Sequence, residues 1–134
     1  MYVDDEESLV FLVTRSLERV GYAVEGFTDA KTALEVLRER SHDFSAVITD
    51  LSMPGMTGFE FSKAAREMNA TLPIILTSGY VRQEDRDIAK QLGICEVILK
   101  PDTVDALATQ LHELIATHTE DQLSAAPRAP SMGG

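Results

Sequence analysis

Apolar residues along the chain recur at two alternating spacings. Four segments show the spacing of three or four residues that predicts an amphipathic helix. Their apolar positions are Leu9, Val13, Leu17 and Val20; Ala30, Ala33, Leu34 and Leu37; Phe61, Ala64, Ala65 and Met68; and Val104, Leu107, Leu111, Leu114 and Ile115. A fifth segment, EDRDIAKQLG, predicts a polar helix that ends at Gly93. Gly21 is predicted to end the first helix and Asp29 to cap the second.

Short apolar segments with the length of buried strands stand between these helices. They are MYV at the start of the chain, YAVEGF, FSAVIT, LPIILT and CEVILK. Strand and helix thus alternate five times, which predicts a doubly wound α/β fold: a five-stranded parallel sheet with helices on both faces. The first strand is shorter than the roughly five residues of an interior strand, so we expect other residues normally to precede Tyr2.

The composition changes after about Thr119, where EDQLSAAPRAPSMGG lacks helical periodicity. This change predicts one domain over residues 1–118 and a disordered tail or linker over residues 119–134. A chain of 134 residues is long enough for one domain with a single core.

The net charge of -10 and the pI of about 4.6 narrow the classes of partner. Nucleic acids and anionic membranes need a basic face, so we expect no direct contact with either. No apolar run approaches the roughly 18 residues of a membrane-spanning helix. The single cysteine, Cys95, suits a reducing compartment, and we expect a cytoplasmic location. Three scattered histidines show no metal-ligand spacing, which argues against a zinc site.

Polar side chains follow four of the predicted strands. They are Asp4, Asp5 and Glu6 after the first strand, Asp50 after the third, Thr77 and Ser78 after the fourth, and Lys100 after the fifth. Ligands of open parallel sheets bind at the carboxyl ends of the strands, so we expect these groups to share one rim. Two or three carboxylates with a backbone carbonyl suit Mg²⁺, and a carboxylate beside Mg²⁺ can attack a phosphoryl group.

Each of these residues also has a plain structural interpretation. Asp4 and Asp5 are suited to cap the first helix, where the helix dipole favours negative charge. Asp50 fits a turn, Thr77 fits a strand end, and a lysine after a strand is usually solvated. If each structural interpretation held separately, all of these residues would lie on the same rim only by coincidence. The joint arrangement therefore favours a site for phosphoryl transfer.

The chain contains the motifs VDDEES, VITDLSMPGMTG, LTSGY and LKP. Their order and spacing resemble those of the CheY-like receiver domains of two-component response regulators. The resemblance covers about residues 2–117. It implies the strand order 2-1-3-4-5 and makes Asp50 the phosphoacceptor. It also implies that Asp5, Asp50 and the Ser52 carbonyl ligate Mg²⁺, with Asp4 acting through water.

The resemblance further implies that Thr77 and Lys100 contact the phosphoryl group and that the Lys100–Pro101 bond is cis. The implied partners are a histidine kinase or a histidine phosphotransfer protein, and a phosphorylation-dependent dimer is left open. The chain departs from the family at Val97, where an aromatic residue usually transmits the change. We hypothesise that Tyr80 takes over part of that coupling. Asp102 is a second departure, which we interpret as a cap of the last helix.

Two other functions compete with a receiver that catalyses its own phosphorylation. The first is a Mg²⁺-dependent phosphatase or phosphotransferase with Asp50 as its nucleophile. Such enzymes usually carry a second acid two positions later, where this chain has Ser52, so we do not expect a stand-alone enzyme acting on small molecules. The second is an inactive receiver-like interaction module, which the complete set of acids, Thr77 and Lys100 argues against. A stand-alone regulator and a receiver from a hybrid sensor kinase both remain open.

Overall fold

The sheet that the sequence predicts is present, and its strand order reverses beside the first strand. The structure is a computed structural model that describes the backbone of residues 1–125 and the side chains of residues 1–118. Its parallel strands lie in the order β2-β1-β3-β4-β5. They are β1 Tyr2–Val3, β2 Gly26–Phe27, β3 Val47–Asp50, β4 Ile74–Ser78 and β5 Glu96–Leu99. The order places a crevice at the carboxyl ends of β1 and β3, the usual ligand position in such sheets.

Helices cover both faces of the sheet, as predicted. They are α1 Glu7–Arg19, α2 Ala30–Arg40, α3 Gly58–Met68, α4 Gln83–Gln91 and α5 Val104–Ala125, with a short 3₁₀ turn at Ser41–Asp43. Successive strand residues point to opposite faces. Tyr2 and Ile48 therefore join the core under α1 and α5, whereas Val3 and Val47 join the core under α2 and α3.

The residues predicted to cap or end helices have these roles in the structure. Asp29 caps α2, because its carboxylate accepts hydrogen bonds from the backbone N–H and the hydroxyl of Thr32 at 3.3 and 2.8 Å. Gly21 and Gly93 follow α1 and α4 with φ angles of 104° and 77°. Only glycine adopts this left-handed conformation without a steric penalty, so both residues are effective helix stops.

Two element bounds differ from the predictions. The YAVEGF segment contributes only Gly26–Phe27 to the sheet, since β1 offers just two residues for β2 to pair with. Helix α5 continues to Ala125, past the predicted start of the tail, because a helix propagates through good helix formers without an apolar face. The rest of the predicted tail, residues 126–134, lies outside the described residues, and the domain boundary at residue 118 stays a prediction. Among the described helices, none has the length and apolarity to cross a membrane.

Candidate functional site

The carboxyl ends of β1, β3 and β5 bring two aspartates and a lysine into direct contact. The Lys100 Nζ lies 2.8 Å from Asp4 Oδ2 and 3.2 Å from Asp50 Oδ1. Asp4 and Asp50 are 1% and 6% exposed, and the Lys100 side chain is 20% exposed. The backbone N–H of Lys100 donates to the Ser78 carbonyl at 2.8 Å, which fixes the end of β5 beside β4. Residues far apart in sequence thus form one charged cluster.

A third carboxylate completes the acidic side of the cluster. One oxygen each from Asp4, Asp5 and Asp50 lies within 4.8 Å of the others, and Asp5 is exposed. Oxygens around Mg²⁺ lie at about 2.1 Å from the ion, so Asp5 and Asp50 need only small movements to share it, and Asp4 is close enough to act through water. Three carboxylates against one ammonium leave a negative excess, which a divalent cation would neutralise. The donor set and its spacing therefore fit Mg²⁺.

The cluster perturbs the protonation of its own members. Burial raises the pKa of Asp50, and the negative charges of Asp4 and Asp5 raise it further, against the opposing effect of Lys100. Burial acts to lower the pKa of Lys100, but the hydrogen bonds and charges of Asp4 and Asp50 together raise it. Lys100 therefore stays an ammonium at neutral pH, whereas the site makes ionisation of Asp50 less favourable. A further cation bound at the site would oppose this effect.

Asp4 also orders the loop before α1. Its Oδ1 accepts a hydrogen bond from the Glu6 N–H at 3.0 Å, while its Oδ2 faces Lys100. Helix α1 begins at Glu7, and its N-cap residue Glu6 makes no side-chain capping bond. The Asp4 side chain thus has a local structural role and a place in the charged cluster at the same time.

A close approach of α3 to β3 shapes the loop that carries Ser52. The Gly58 N–H donates to the Leu51 carbonyl at 2.8 Å, and the Leu51 N–H donates to the Thr77 carbonyl at 2.8 Å. A Cβ at Gly58 would lie 2.5 Å from the Asp50 carbonyl oxygen, so only glycine fits there. Ser52 is exposed and lines an open cleft of about 520 Å³ together with Asp50.

The two hydroxyls at the end of β4 have different surroundings. Thr77 pairs with Asp50 in the register of β3 and β4, but it is fully buried and its Oγ1 faces the Thr49 carbonyl at 3.5 Å. Ser78 lines the cleft and donates to the Tyr80 carbonyl at 2.7 Å. Thr77 is therefore the neighbour of Asp50 in the sheet, but its hydroxyl does not line the cleft. The predicted contact of Thr77 with a phosphoryl group needs a side-chain rotation.

The segment after Lys100 corrects two predictions. All peptide bonds of the described residues are trans, so the expected cis bond before Pro101 is wrong. The trans isomer is the preferred one by about 0.5–1 kcal/mol for X-Pro, and Lys100 reaches both acids with it. The expected cap by Asp102 is also wrong, because the hydroxyl of Thr103 accepts the Ala106 N–H at 3.1 Å.

Sequence reasoning missed two charged residues of the cleft. Arg82 and Asp85, at the start of α4, line it together with Asp50, Ser52, Ser78 and Lys100. Asp85 is 4% exposed and accepts the Arg82 backbone N–H at 3.0 Å, which forms the first turn of α4. The sequence carried one signal for this pair: Asp85 lies three positions after Arg82, the residue that precedes α4. This spacing is typical of an N-terminal capping pattern.

The family model described as response regulator receiver domain matches residues 1–112. Among the curated relatives, the sensor protein EvgS of Escherichia coli (strain K12) is 33% identical over 114 residues, which cover 85% of this chain and 9% of EvgS. The response regulator SaeR of Staphylococcus epidermidis (strain ATCC 12228 / FDA PCI 1200) is 30% identical over 116 residues, which cover 87% of this chain and 49% of SaeR. The chain thus spans less than half the length of either relative.

Solved structures agree with the family model. The chemotaxis protein CheY4 of Vibrio cholerae matches with a TM-score of 0.74 and 32% identity, over 84% of this chain and 93% of that one. A CheY-like receiver domain protein of Methanospirillum hungatei JF-1 has the same fold, with a TM-score of 0.76 and 24% identity over 90% and 94% of the two chains. Receiver domains bind Mg²⁺ at an acidic pocket and interact with histidine kinases or phosphotransfer proteins. The sheet order, the aspartate cluster and these matches place the chain in the response regulator receiver domain family.

Proposed function

We propose that Asp50 accepts a phosphoryl group from a histidine kinase or a histidine phosphotransfer protein. The observation that carries the proposal is the contact of Lys100 Nζ with both Asp4 and Asp50, at 2.8 and 3.2 Å, beside the oxygen of Asp5. In the forward step an Asp50 oxygen forms a bond to phosphorus. The bond between phosphorus and the donor imidazole nitrogen breaks, and its electron pair leaves with the imidazole. Attack by water later releases inorganic phosphate and restores the carboxylate.

The chain's own residues prepare this transfer before a donor arrives. Lys100 holds its ammonium against Asp50, where charge develops on the phosphoryl oxygens, so little reorganisation is needed. Asp5, Asp50 and the Ser52 carbonyl would hold Mg²⁺ directly, with Asp4 acting through water. When bound, Mg²⁺ supplies charge neutralisation for the incoming phosphoryl group.

Thr77 supplies the conformational response in this proposal. Its hydroxyl has only a long contact with the Thr49 carbonyl, so little is lost when it rotates towards a phosphoryl oxygen on Asp50. The β4–α4 loop would follow, because Thr77 is two residues from Gly79. Tyr80, 72% exposed, belongs to the moving segment and is proposed to carry part of the signal that Val97 does not.

The context of the domain is also a proposal. The relatives include a sensor protein and a response regulator, which correspond to a receiver within a sensor kinase and to a receiver of a separate regulator. A cytoplasmic location, a phosphorylation-dependent dimer and a domain end near residue 118 belong to the same proposal.

Acetyl phosphate and Mg²⁺ test the proposal without a known kinase. We expect intact-protein mass spectrometry to detect one phosphoryl adduct on the wild type and none on Asp50→Asn. The exposed Asp43→Asn change serves as the matched control and should behave like the wild type. Absence of any adduct would instead favour an inactive interaction module. Sustained turnover of small phosphoesters would favour the phosphatase, although Ser52 stands where such an enzyme usually has its second acid.

A further inference from the structure

A second cation borders the cleft above Asp50. Arg82 lines this cleft together with Asp50 and Lys100, and it also lines a neighbouring cleft of about 610 Å³ that runs over Met53 and Phe59. Its side chain is 56% exposed, and its backbone is held in the first turn of α4 by the hydrogen bond from the Arg82 N–H to Asp85. Arg82 and Asp85 thus belong to both clefts, and Arg82 is a second cationic residue, besides Lys100, on the lining of the cleft that contains Asp50.

The guanidinium is weakly restrained in its present position. It pairs with Glu84 Oε1 at 2.7 Å, but both side chains are more than half exposed, and such surface pairs contribute little. Its two contacts with Asp85 are long, at 3.4 Å from Nη2 to Oδ1 and 3.5 Å from Nε to Oδ2. The Arg82 backbone N–H is the main cause that lowers the pKa of Asp85, so Asp85 keeps a strong partner when the guanidinium leaves.

Phosphorylation of Asp50 makes the site more negative, so that a further cation would be attracted to it. Asp4, Asp5 and Asp50 carry three negative charges, which Lys100 and one Mg²⁺ would balance. A phosphoryl group carries about two negative charges where the Asp50 carboxylate carried one. The phosphorylated pocket is therefore negative again, and its new oxygens match the paired N–H donors of a guanidinium.

We propose that Arg82 binds the phosphoryl group on Asp50 and leaves Glu84 and Asp85 to do so. This inference rests on the proposed function and adds a ligand from the β4–α4 loop to it. The movement changes the charge at the N-terminus of α4. The movement of Arg82 gives α4 a response to phosphorylation that does not need an aromatic residue at position 97, where this chain has Val97.

Binding of beryllium fluoride, a phosphoryl analogue, in the presence of Mg²⁺ tests the proposal at equilibrium. We expect Arg82→Gln to weaken binding about tenfold, as for the loss of one charge-assisted hydrogen-bonded pair, and Arg82→Lys to recover part of it. The exposed Arg38→Gln on α2 is the matched control and should stay within about twofold of the wild type. Because the backbone of Arg82 forms the α4 cap, the Gln variant keeps that turn.

Glu84→Gln separates a direct contact from a general effect of charge. We expect it to tighten binding in the wild type, by about two- to threefold, because it frees Arg82. The same change should have no effect in the Arg82→Gln background. A second readout is the Arg82 Nε–Hε signal in NMR spectra, which should shift when beryllium fluoride binds.

Wild-type affinity in Arg82→Gln, or an unmoved Nε–Hε signal, would overturn the assignment of Arg82. An equal effect of Glu84→Gln in both backgrounds would do the same. The phosphoryl adduct from acetyl phosphate still forms on Asp50 in those cases, so the proposed function survives them. Failure of the wild type to take the adduct overturns both.

Discussion

Lys100 separates two buried carboxylates, and its removal should be costly before any metal binds. In Lys100→Met, Asp4 and Asp50 lose an ammonium at 2.8 and 3.2 Å while staying 1% and 6% exposed. Removing one partner of a fully buried ion pair costs about 3–5 kcal/mol. The Lys100 side chain is 20% exposed and the cleft is open, so screening reduces this cost to about 2 kcal/mol.

Urea unfolding at neutral pH in the presence of a chelator measures the cost. With a slope of about 2 kcal/mol/M, the midpoint of Lys100→Met should fall by about 1 M. Mg²⁺ should stabilise the variant more than the wild type, because the site without Lys100 is more negative. Acidification should also recover part of the loss, since removal of the ammonium raises the pKa of Asp50 further and the folded state takes up a proton.

The matched control is Lys63→Met, an exposed lysine on α3. Its effect should stay within about 0.5 kcal/mol. An equally small effect of Lys100→Met in the chelator would refute the electrostatic account of the cluster. A loss that neither Mg²⁺ nor acid reduces would point to lost packing of the lysine stem instead.

Three further predictions concern the acceptor, the loop and α4. Asp50→Asn should raise the free energy of unfolding at pH 7 without metal, because a raised pKa means that the ionised form destabilises the fold; in urea titrations the gain should shrink as the pH falls through the raised pKa of Asp50 and should be gone below about 4, where the unfolded carboxyl is protonated as well. Gly58→Ala should cost about 2–3 kcal/mol and slow phosphorylation, since its Cβ would meet the Asp50 carbonyl, whereas Gly79→Ala meets nothing within 4 Å and should be nearly neutral by thermal unfolding. Arg86→Met should cost about 1 kcal/mol and speed amide exchange in α4, because it removes the 3.1 Å bond to the Val97 carbonyl, and unchanged exchange would contradict this.

The parts of the fold that depend on burial were predictable from sequence. Tyr2 and Val3 enter opposite cores because strand side chains alternate, and this alternation makes each strand recognisable. Parallel strands end on the same edge, so the meeting of Asp4, Asp50 and Lys100 followed from their positions after strands.

The parts that depend on loop geometry were not predictable. Thr77 and Ser78 are successive residues at the end of β4, and only Ser78 lines the cleft, which the sequence pattern did not indicate. Arg82 and Asp85 line the cleft together with Asp50, but their spacing indicated only a capped helix. The Lys100–Pro101 isomer likewise has no local signal, since the two forms differ little in energy.

Locating the phosphoryl group after incubation with acetyl phosphate and Mg²⁺ tests most directly whether Asp50 is the phosphoacceptor. Borohydride reduction of the acyl phosphate, followed by peptide mass spectrometry, identifies the modified position. The account predicts one modified site per chain, at Asp50, lost when Mg²⁺ is chelated. Modification elsewhere, or at the same level without a divalent cation, would contradict it.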